Sequence, residues 1–161
     1  MSLPLPPLAL RAPTTSDVPF ITNSWLESYR DRGWANRHVP NRVYFLYHHR
    51  IIEKLWKAPG VTWMVACLPS DTTFILGWLC GEMTNAGPVL HFVYVKASNR
   101  RMGVATHLVE AFRDGAPRGF ITHLTSGWEG LESELPGEYV YCPYMVFDEF
   151  RLPSAAKPST T

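Results

Sequence analysis

The stretch from Pro88 to Asp114 contains residue types that could bind an anionic ligand beside a strand. Its middle, KASNRRMG, has two consecutive arginines and a glycine at the point where a helix must begin. The first turn of a helix has unpaired N–H groups and the positive end of the helix dipole. These amides and the arginines predict a phosphate-binding turn. The predicted contacts are Arg100, Arg101, Met102, Gly103, Val104, Ala105 and Thr106.

A predicted strand and a predicted helix flank this turn. The run VLHFVYV is rich in β-branched and aromatic residues, which is typical of a buried strand. After the turn, apolar residues recur at helical spacing, and Gly115 is placed to end the helix as a left-handed cap. The predicted apolar stripe consists of Val104, Leu108, Ala111 and Phe112. An ordinary strand-turn-helix unit with a surface arginine pair is the alternative interpretation.

The turn resembles the acyl-CoA pyrophosphate signature of the GCN5-related N-acetyltransferases (GNAT family), V-x-(P)-x-x-(R/Q)-x-x-G-x-(G/A). Val95, Arg100, Gly103 and Ala105 match it, and Ala97 stands where proline is common. The resemblance implies acetyl-CoA as co-substrate and transfer of its acetyl group to a primary amine of a small molecule or protein. It also implies that the main chain at Val93 and Val95 pairs with the pantetheine arm and the acyl carbonyl, and it allows a homodimer.

The predicted order of elements is β-α-α-β-β-β-α-β. This order predicts an α/β (α+β) fold with a mixed, mostly antiparallel sheet, a parallel pair of fourth and fifth strands, and flanking helices. It resembles the GNAT fold as far as Ser126. The predicted strands cover residues 8–13, 61–68, 73–83, 89–95 and 119–126, and the predicted helices lie within residues 14–33 and 41–60.

The two predicted N-terminal helices differ in the signals that define them. Ser16 or Thr15 is the expected N-cap of the first, with a proline in its first turn. Arg11, Ala12 and Asp17 also look like the usual start of the family. The second helix is amphipathic, and its predicted buried face consists of Val43, Leu46, Tyr47, Ile51, Ile52 and Leu55.

The resemblance weakens after Ser126. The family usually supplies a full helix and two more strands, but GWEGLESELPGE is short and interrupted by Gly130 and Pro136. The run from Tyr139 to Phe147 provides about one strand. We expect a single domain over residues 1–152 and a disordered tail over residues 153–161.

Two residues are candidates for the general base of such a transfer. Val89 occupies the position of the glutamate of histone-type family members. His91 is two residues further along on the same face, and an imidazole exchanges protons near neutral pH. Glu82, near the end of the third strand, is the second candidate. A packed strand histidine and a solvated carboxylate are the alternative interpretations.

Two tyrosines are candidates for the general acid. Tyr141 and Tyr144 in YVYCPY could protonate a leaving thiolate, because a phenol can donate a proton. Packing of either ring in the core is the alternative interpretation.

Composition restricts the classes of protein further. The net charge of +1 over 161 residues argues against nucleic acid or an anionic membrane as partner. No apolar run approaches a membrane span, and the proline-broken N-terminus lacks a secretory pattern, so we expect a soluble, cytoplasmic protein. Cys67, Cys80 and Cys142 suit reduced thiols, and the histidines show no metal-ligand spacing, so no metal is predicted.

The charge is nevertheless segregated along the chain. Residues 30–50 contain five arginines and one acid, whereas residues 126–149 contain six acids and no Lys or Arg. Solvated surfaces explain both, but in the family these segments border the acceptor groove, where acids would favour a cationic amine. Two alternatives stay open: a nucleic-acid-modifying or RNA-binding protein of this fold, and a non-catalytic CoA-binding or structural protein.

Overall fold

The computed structural model describes residues 4–135 and 137–146, which form one six-stranded sheet flanked by four helices. In chain order the elements are β1 (Ala9–Arg11), α1 (Val18–Arg32), α2 (Asn41–Lys57), β2 (Val61–Leu68), β3 (Asp71–Thr84), β4 (Gly87–Val95), α3 (Val104–Arg113), β5 (Arg118–Ile121), α4 (Trp128–Glu134) and β6 (Glu138–Tyr141). Short 3₁₀ turns occupy Trp34–His38, Ala97–Asn99 and Pro143–Val146.

The strands lie in the sheet in their chain order, from β1 to β6. The first four are antiparallel to their neighbours, whereas β4 and β5 are parallel, as are β5 and β6. The predicted fold class and the parallel pair are therefore confirmed. A parallel pair requires a crossover connection, which α3 provides between β4 and β5.

A separate apolar core lies on each face of the sheet, because successive strand residues point to opposite faces. One core joins α1 and α2 to the sheet, and the other joins α3 and α4 to it. Trp25 of α1 is fully buried in the first core, where its ring stacks on Phe92 of β4 at 5.0 Å between centroids. This stacking fixes α1 directly against the central strand.

Two predictions about the N-terminal helices were wrong. Asp17, not Ser16 or Thr15, is the N-cap of α1, and its carboxylate is bound by Arg11 and Thr14 rather than by the helix amides. In α2, three residues predicted to be buried are exposed: Val43, Leu46 and Tyr47. The buried face instead contains Tyr44 and His48. The Tyr44 hydroxyl donates to Leu26 O of α1 at 2.7 Å, so this residue lies between the two helices.

The predictions around α3 and β5 needed smaller corrections. Ala111 is exposed, and Val109 is buried in its place. Gly115 has the predicted left-handed backbone, but Asp114 before it is the C-cap and is left-handed too. β5 ends at Ile121, five residues before its predicted end, because it diverges from β4 there.

The C-terminal region contains α4 and the single strand β6 within the described residues. Phe147 and the predicted tail at residues 153–161 lie outside the described residues. All three cysteines are free thiols. No helix in the described part of the chain has the length and apolar content to cross a membrane.

Candidate active site

A cleft of about 550 Å³ opens where β4 and β5 separate. The two strands pair only through residues 89–90 and 120–121, and the last bond between them runs from Thr122 N to Leu90 O at 3.2 Å. Beyond this bond β4 continues to Val95 with its edge toward the cleft. The parting of two parallel strands therefore creates a binding space at the edge of the central strand.

His91 is the additional residue of a β-bulge in β4. In the pairing of β3 with β4, Cys80 lies opposite Phe92 and Gly81 lies opposite Leu90, so one more residue is present on β4 than on β3. A bulge bends its strand and redirects side chains, and bulges are common beside active sites. Here the bulge lies at the point where β4 leaves β5.

The exposed edge of β4 presents main-chain groups to the cleft. Lys96 N–H donates to Leu76 O of β3, whereas Val95 O accepts a bond from Arg100 Nε on the opposite side. Because the direction of the main-chain groups alternates along a strand, Val93 directs its N–H and C=O to the same side as Val95. Val93 and Val95 both line the cleft.

The turn between β4 and α3 forms one end of the cleft. Gly103 is the N-cap of α3 with a φ of 80°, and Arg101 is also left-handed with a φ of 62°. Among the described residues, a Cβ on Gly103 would meet only Leu5 Cδ1, at 3.7 Å, so a ligand can approach this main chain. The first helical bond runs from His107 N to Gly103 O. The preceding amides have no partner within the helix.

Eight of the nine predicted cofactor contacts line the cleft. The exception is Met102, whose side chain packs against the core on the α3 face of the sheet. The charged residues of the lining are Arg32, Arg100, Arg101 and Glu134. Three cations against one anion make the cleft suitable for an anionic ligand.

The two residues predicted as general bases, His91 and Glu82, lie next to each other in the protein interior. His91 Nε2 lies 3.7 Å from Glu82 Oε1, and their side chains are 0% and 4% exposed. On its other side, His91 Nδ1 lies 3.1 Å from the Thr122 hydroxyl, which lies 2.7 Å from His123 Nδ1. Burial, followed by the nearby rings of His48 and His91, lowers the pKa of His123 well below its usual range.

A small cavity of about 20 Å³ lies beside the two histidines and shares lining residues with the cleft. His91 and His123 line it, together with four residues that also line the cleft: Phe92, Val93, Thr125 and Trp128. The histidines therefore lie behind the wall that the cleft and the small cavity share. Among residues 4–135 and 137–146, no cluster of His, Cys, Asp and Glu could hold a metal ion.

The two residues predicted as general acids, Tyr141 and Tyr144, lie closer to the protein surface than the predicted bases. Tyr141 is the last residue of β6, and Tyr144 lies in the following 3₁₀ turn, with 41% and 65% of the residue exposed. Partial burial, with smaller effects of Tyr144 and Cys142, raises the pKa of Tyr141. Neither tyrosine is among the residues that line the cleft.

The sequence interpretation missed Thr122 and His123 as site residues. Both were placed inside a strand, whereas they directly follow its last residue, Ile121. A usable signal was present, because ligands of α/β sheets bind at the carboxyl ends of parallel strands. Thr122 and His123, the polar residues that directly follow residues 119–121, therefore carried a signal for a site position.

Comparisons with known proteins identify the fold. No protein-family model matches the sequence, and no curated protein matches it either. A Pyrococcus furiosus protein assigned as an acetyl transferase superposes with a TM-score of 0.54 at 12% identity, over 96% of this chain and 98% of that one. A GNAT family acetyltransferase from Brucella melitensis in complex with acetyl-CoA gives 0.51 at 15% identity, over 77% and 80%. At these identities the likeness establishes the fold.

Proposed function

We propose that this chain, which has the fold of the GNAT acetyltransferases, transfers an acetyl group from acetyl-CoA to a primary amine. One observation carries the proposal. The strand edge at Val93 and Val95 leads along a single cleft to the turn at Gly103, where unpaired amides and two arginines meet. The acetyl-CoA bound to the Brucella protein of the same fold supports this ligand.

The residues of the cleft fit such a ligand. The amides of Val104, Ala105 and Thr106, with Arg100 and Arg101 beside them, would hold the pyrophosphate. The main chain of Val93 and Val95 would pair with the amide groups of the pantetheine arm and orient the acyl carbonyl. When bound, the thioester supplies an activated acetyl group. An ammonium ion is not nucleophilic, so the protein must still remove a proton from the acceptor.

We propose that this proton ends on His91 and that Glu82 stabilises the resulting imidazolium. The distance of 3.7 Å between Nε2 and Oε1 and the exclusion of water strengthen the attraction between the two charges. Tyr141 and Tyr144 are the proposed sources of the proton for the leaving thiolate. Tyr141 is the nearer to the parallel strands, since it pairs with Ile121 at the end of β5.

The proposed acceptor is a primary amine of a small molecule or a protein. Glu134 lines the cleft, and the exposed Glu129 and Glu132 lie on the same short helix. This segment would favour acceptors that carry a positive charge in addition to the reacting amine.

Product analysis by mass spectrometry tests the proposal. The protein is incubated with acetyl-CoA and one acceptor from a panel that contains a polyamine, a neutral monoamine, an amino acid, a lysine peptide and a peptide with a free α-amino group. We expect the mass of an acetyl group to be added to members of one class, with polycationic acceptors preferred. Binding of acetyl-CoA without transfer to any acceptor would instead identify a non-catalytic CoA-binding protein.

A further inference from the structure

We propose that Thr122 is a positioning residue that passes a proton between His123 and His91, so that Glu82, His91, Thr122 and His123 form one relay. The inference rests on the proposed function, because it supplies the path by which the acceptor's proton reaches a fully buried base. In this arrangement His123, which is 9% exposed against 1% for His91, receives the proton first. The relay uses side chains from three neighbouring parts of the sheet.

The four side chains form an unbroken chain of contacts. The distances are 3.7 Å from Glu82 Oε1 to His91 Nε2, 3.1 Å from His91 Nδ1 to Thr122 Oγ1, and 2.7 Å from Thr122 Oγ1 to His123 Nδ1. All four residues are at most 9% exposed. The bulge at His91 and the end of β5 before Thr122 produce the juxtaposition.

The hydroxyl of Thr122 determines which ring nitrogens of His91 and His123 carry protons. A hydroxyl has one proton to donate and can accept another bond. The Thr122 hydroxyl lies 3.1 Å from His91 Nδ1 and 2.7 Å from His123 Nδ1, whereas the main-chain oxygen of His91 is more distant, at 3.5 Å. When Thr122 donates to His91, it accepts from His123, whose Nδ1 then carries the proton. This leaves Nε2 of His123 unprotonated, while Nε2 of His91 carries a proton toward the Glu82 carboxylate.

From this resting state the transfer balances atom by atom. The acceptor ammonium loses a proton to His123 Nε2, and the Nδ1 proton of His123 moves to Thr122 Oγ1. The original hydroxyl proton of Thr122 moves to His91 Nδ1 at the same time. The acceptor becomes a neutral amine, His123 and Thr122 end neutral, and His91 becomes an imidazolium beside the Glu82 carboxylate.

The surroundings of His123 explain why the proton moves from His123 to His91. Trp25 and Tyr29 of α1, His48 of α2 and Phe92 of β4 surround its ring at 4.9–6.2 Å between centroids. No carboxylate appears among these ring neighbours, and burial lowers the pKa of His48 to about 4, so this neighbour is neutral near pH 7. A positive charge on His123 is disfavoured, whereas His91 has Glu82 next to it.

Two matched substitutions test the relay. Thr122→Val keeps the shape of the side chain and removes the hydroxyl, whereas Thr122→Ser keeps the hydroxyl. We expect Thr122→Val to lower turnover on the order of 10²-fold and to alter the pH profile of kcat/KM, with acetyl-CoA binding unchanged. Thr122→Ser should retain most of the activity. Equal activity and pH profiles of the two variants would overturn the relay.

A second readout needs no turnover. Nitrogen-15 spectra of histidine-labelled protein report the tautomer of each ring, and we expect Thr122→Val, but not Thr122→Ser, to shift the Nδ1 signals of both His91 and His123. Unchanged signals would overturn the hydroxyl bridge. If Thr122→Val does not fold, His123→Asn replaces it, because an amide can bond to Thr122 but cannot relay a proton. Full turnover in His123→Asn would also overturn the relay.

The outcomes distinguish a failure of the proposed acetyl transfer from a failure of the relay. Wild-type protein without transfer to any amine would overturn the proposed function together with the catalytic role of the relay. Wild-type protein with transfer, but with no difference between the two Thr122 variants, would overturn the relay alone.

Discussion

Arg100 Nε donates a hydrogen bond to the main-chain carbonyl oxygen of Val95 at 3.1 Å, which ties the turn before α3 to the end of β4. The side chain is thereby held in the cleft wall, where its remaining N–H groups can meet a phosphate.

Substitution of Arg100 tests this anchoring. Arg100→Ala should weaken acetyl-CoA binding by roughly tenfold to hundredfold, as expected for loss of a charge-assisted bond. Arg100→Lys should not restore binding fully, because an ammonium cannot bond to Val95 and a phosphate in the same fork geometry. Calorimetric titration measures both. Arg118→Ala is the control, since this exposed arginine pairs with Glu138; equal losses at Arg100 and Arg118 would contradict a specific contact.

Substitution of the proposed base tests the chemistry. His91→Ala should keep acetyl-CoA binding and lower turnover on the order of 10²-fold, with the acidic limb of kcat/KM altered. Glu82→Gln should also lower turnover, because the imidazolium loses its counter-charge. Loss in Glu82→Gln with full activity in His91→Ala would make the carboxylate the base and His91 a packing residue. Full activity in both would remove both from the mechanism.

The ion pair between Arg11 and Asp17 predicts a pH dependence of stability. Hydrogen bonds from Arg11, and then from Thr14, lower the pKa of Asp17 from 3.8 to about 2. Folding therefore favours the ionised carboxylate, so the stabilisation is nearly complete above about pH 5 and is lost as the pH falls through about 2. Asp17→Asn should cost about 2 kcal/mol at pH 7, and the difference from wild type should shrink at lower pH.

Urea unfolding between pH 3 and pH 7 measures this difference. Glu53→Gln is the control, because its pairing with His49 is exposed and should contribute little. A pH-independent difference between wild type and Asp17→Asn would show that the carboxylate charge is not the source.

Close packing behind the bulge predicts that Gly81 cannot be enlarged. A Cβ there would lie 2.6 Å from Phe112 Cζ and 2.8 Å from Val89 O. Gly81→Ala should therefore destabilise the fold by about 1–3 kcal/mol, seen as a lower melting temperature. Gly130→Ala should be neutral or stabilising, because no atom of the described part of the chain lies within 4 Å of its Cβ. Equal melting temperatures of the two variants would contradict this packing.

The order of the elements was predictable because each has a strong local signal. The strand VLHFVYV and the turn before Gly103 could be located from residue types and spacing alone. The buried face of α2 could not, because its contacts depend on a long-range bond from Tyr44 to Leu26 and on stacking of His48 with Tyr44. Helical spacing alone selected Val43, Leu46 and Tyr47, which are exposed.

The candidate site was predictable only in part. The turn at residues 100–106 lies in one continuous segment of the sequence. The buried group of Glu82, His91, Thr122 and His123 instead joins side chains that are far apart in the sequence. Nothing in β4 alone reveals the bulge at His91, because a bulge is defined by the register against β3. The contact of Thr122 with His91 and His123 depends in turn on that bulge and on the early end of β5.

Titration with acetyl-CoA while the melting temperature is followed tests the central proposal most directly. A ligand bound only by the folded state stabilises it by about 2.7 kcal/mol at a concentration 100 times its Kd. Wild type and Gly115→Glu should show this rise, and Gly103→Glu should not, because it places a carboxylate where the phosphates would bind. The comparison is matched, since both glycines flank α3 with φ values of 80° and 77°. No rise in wild type, or an undiminished rise in Gly103→Glu, would contradict the proposed cofactor site.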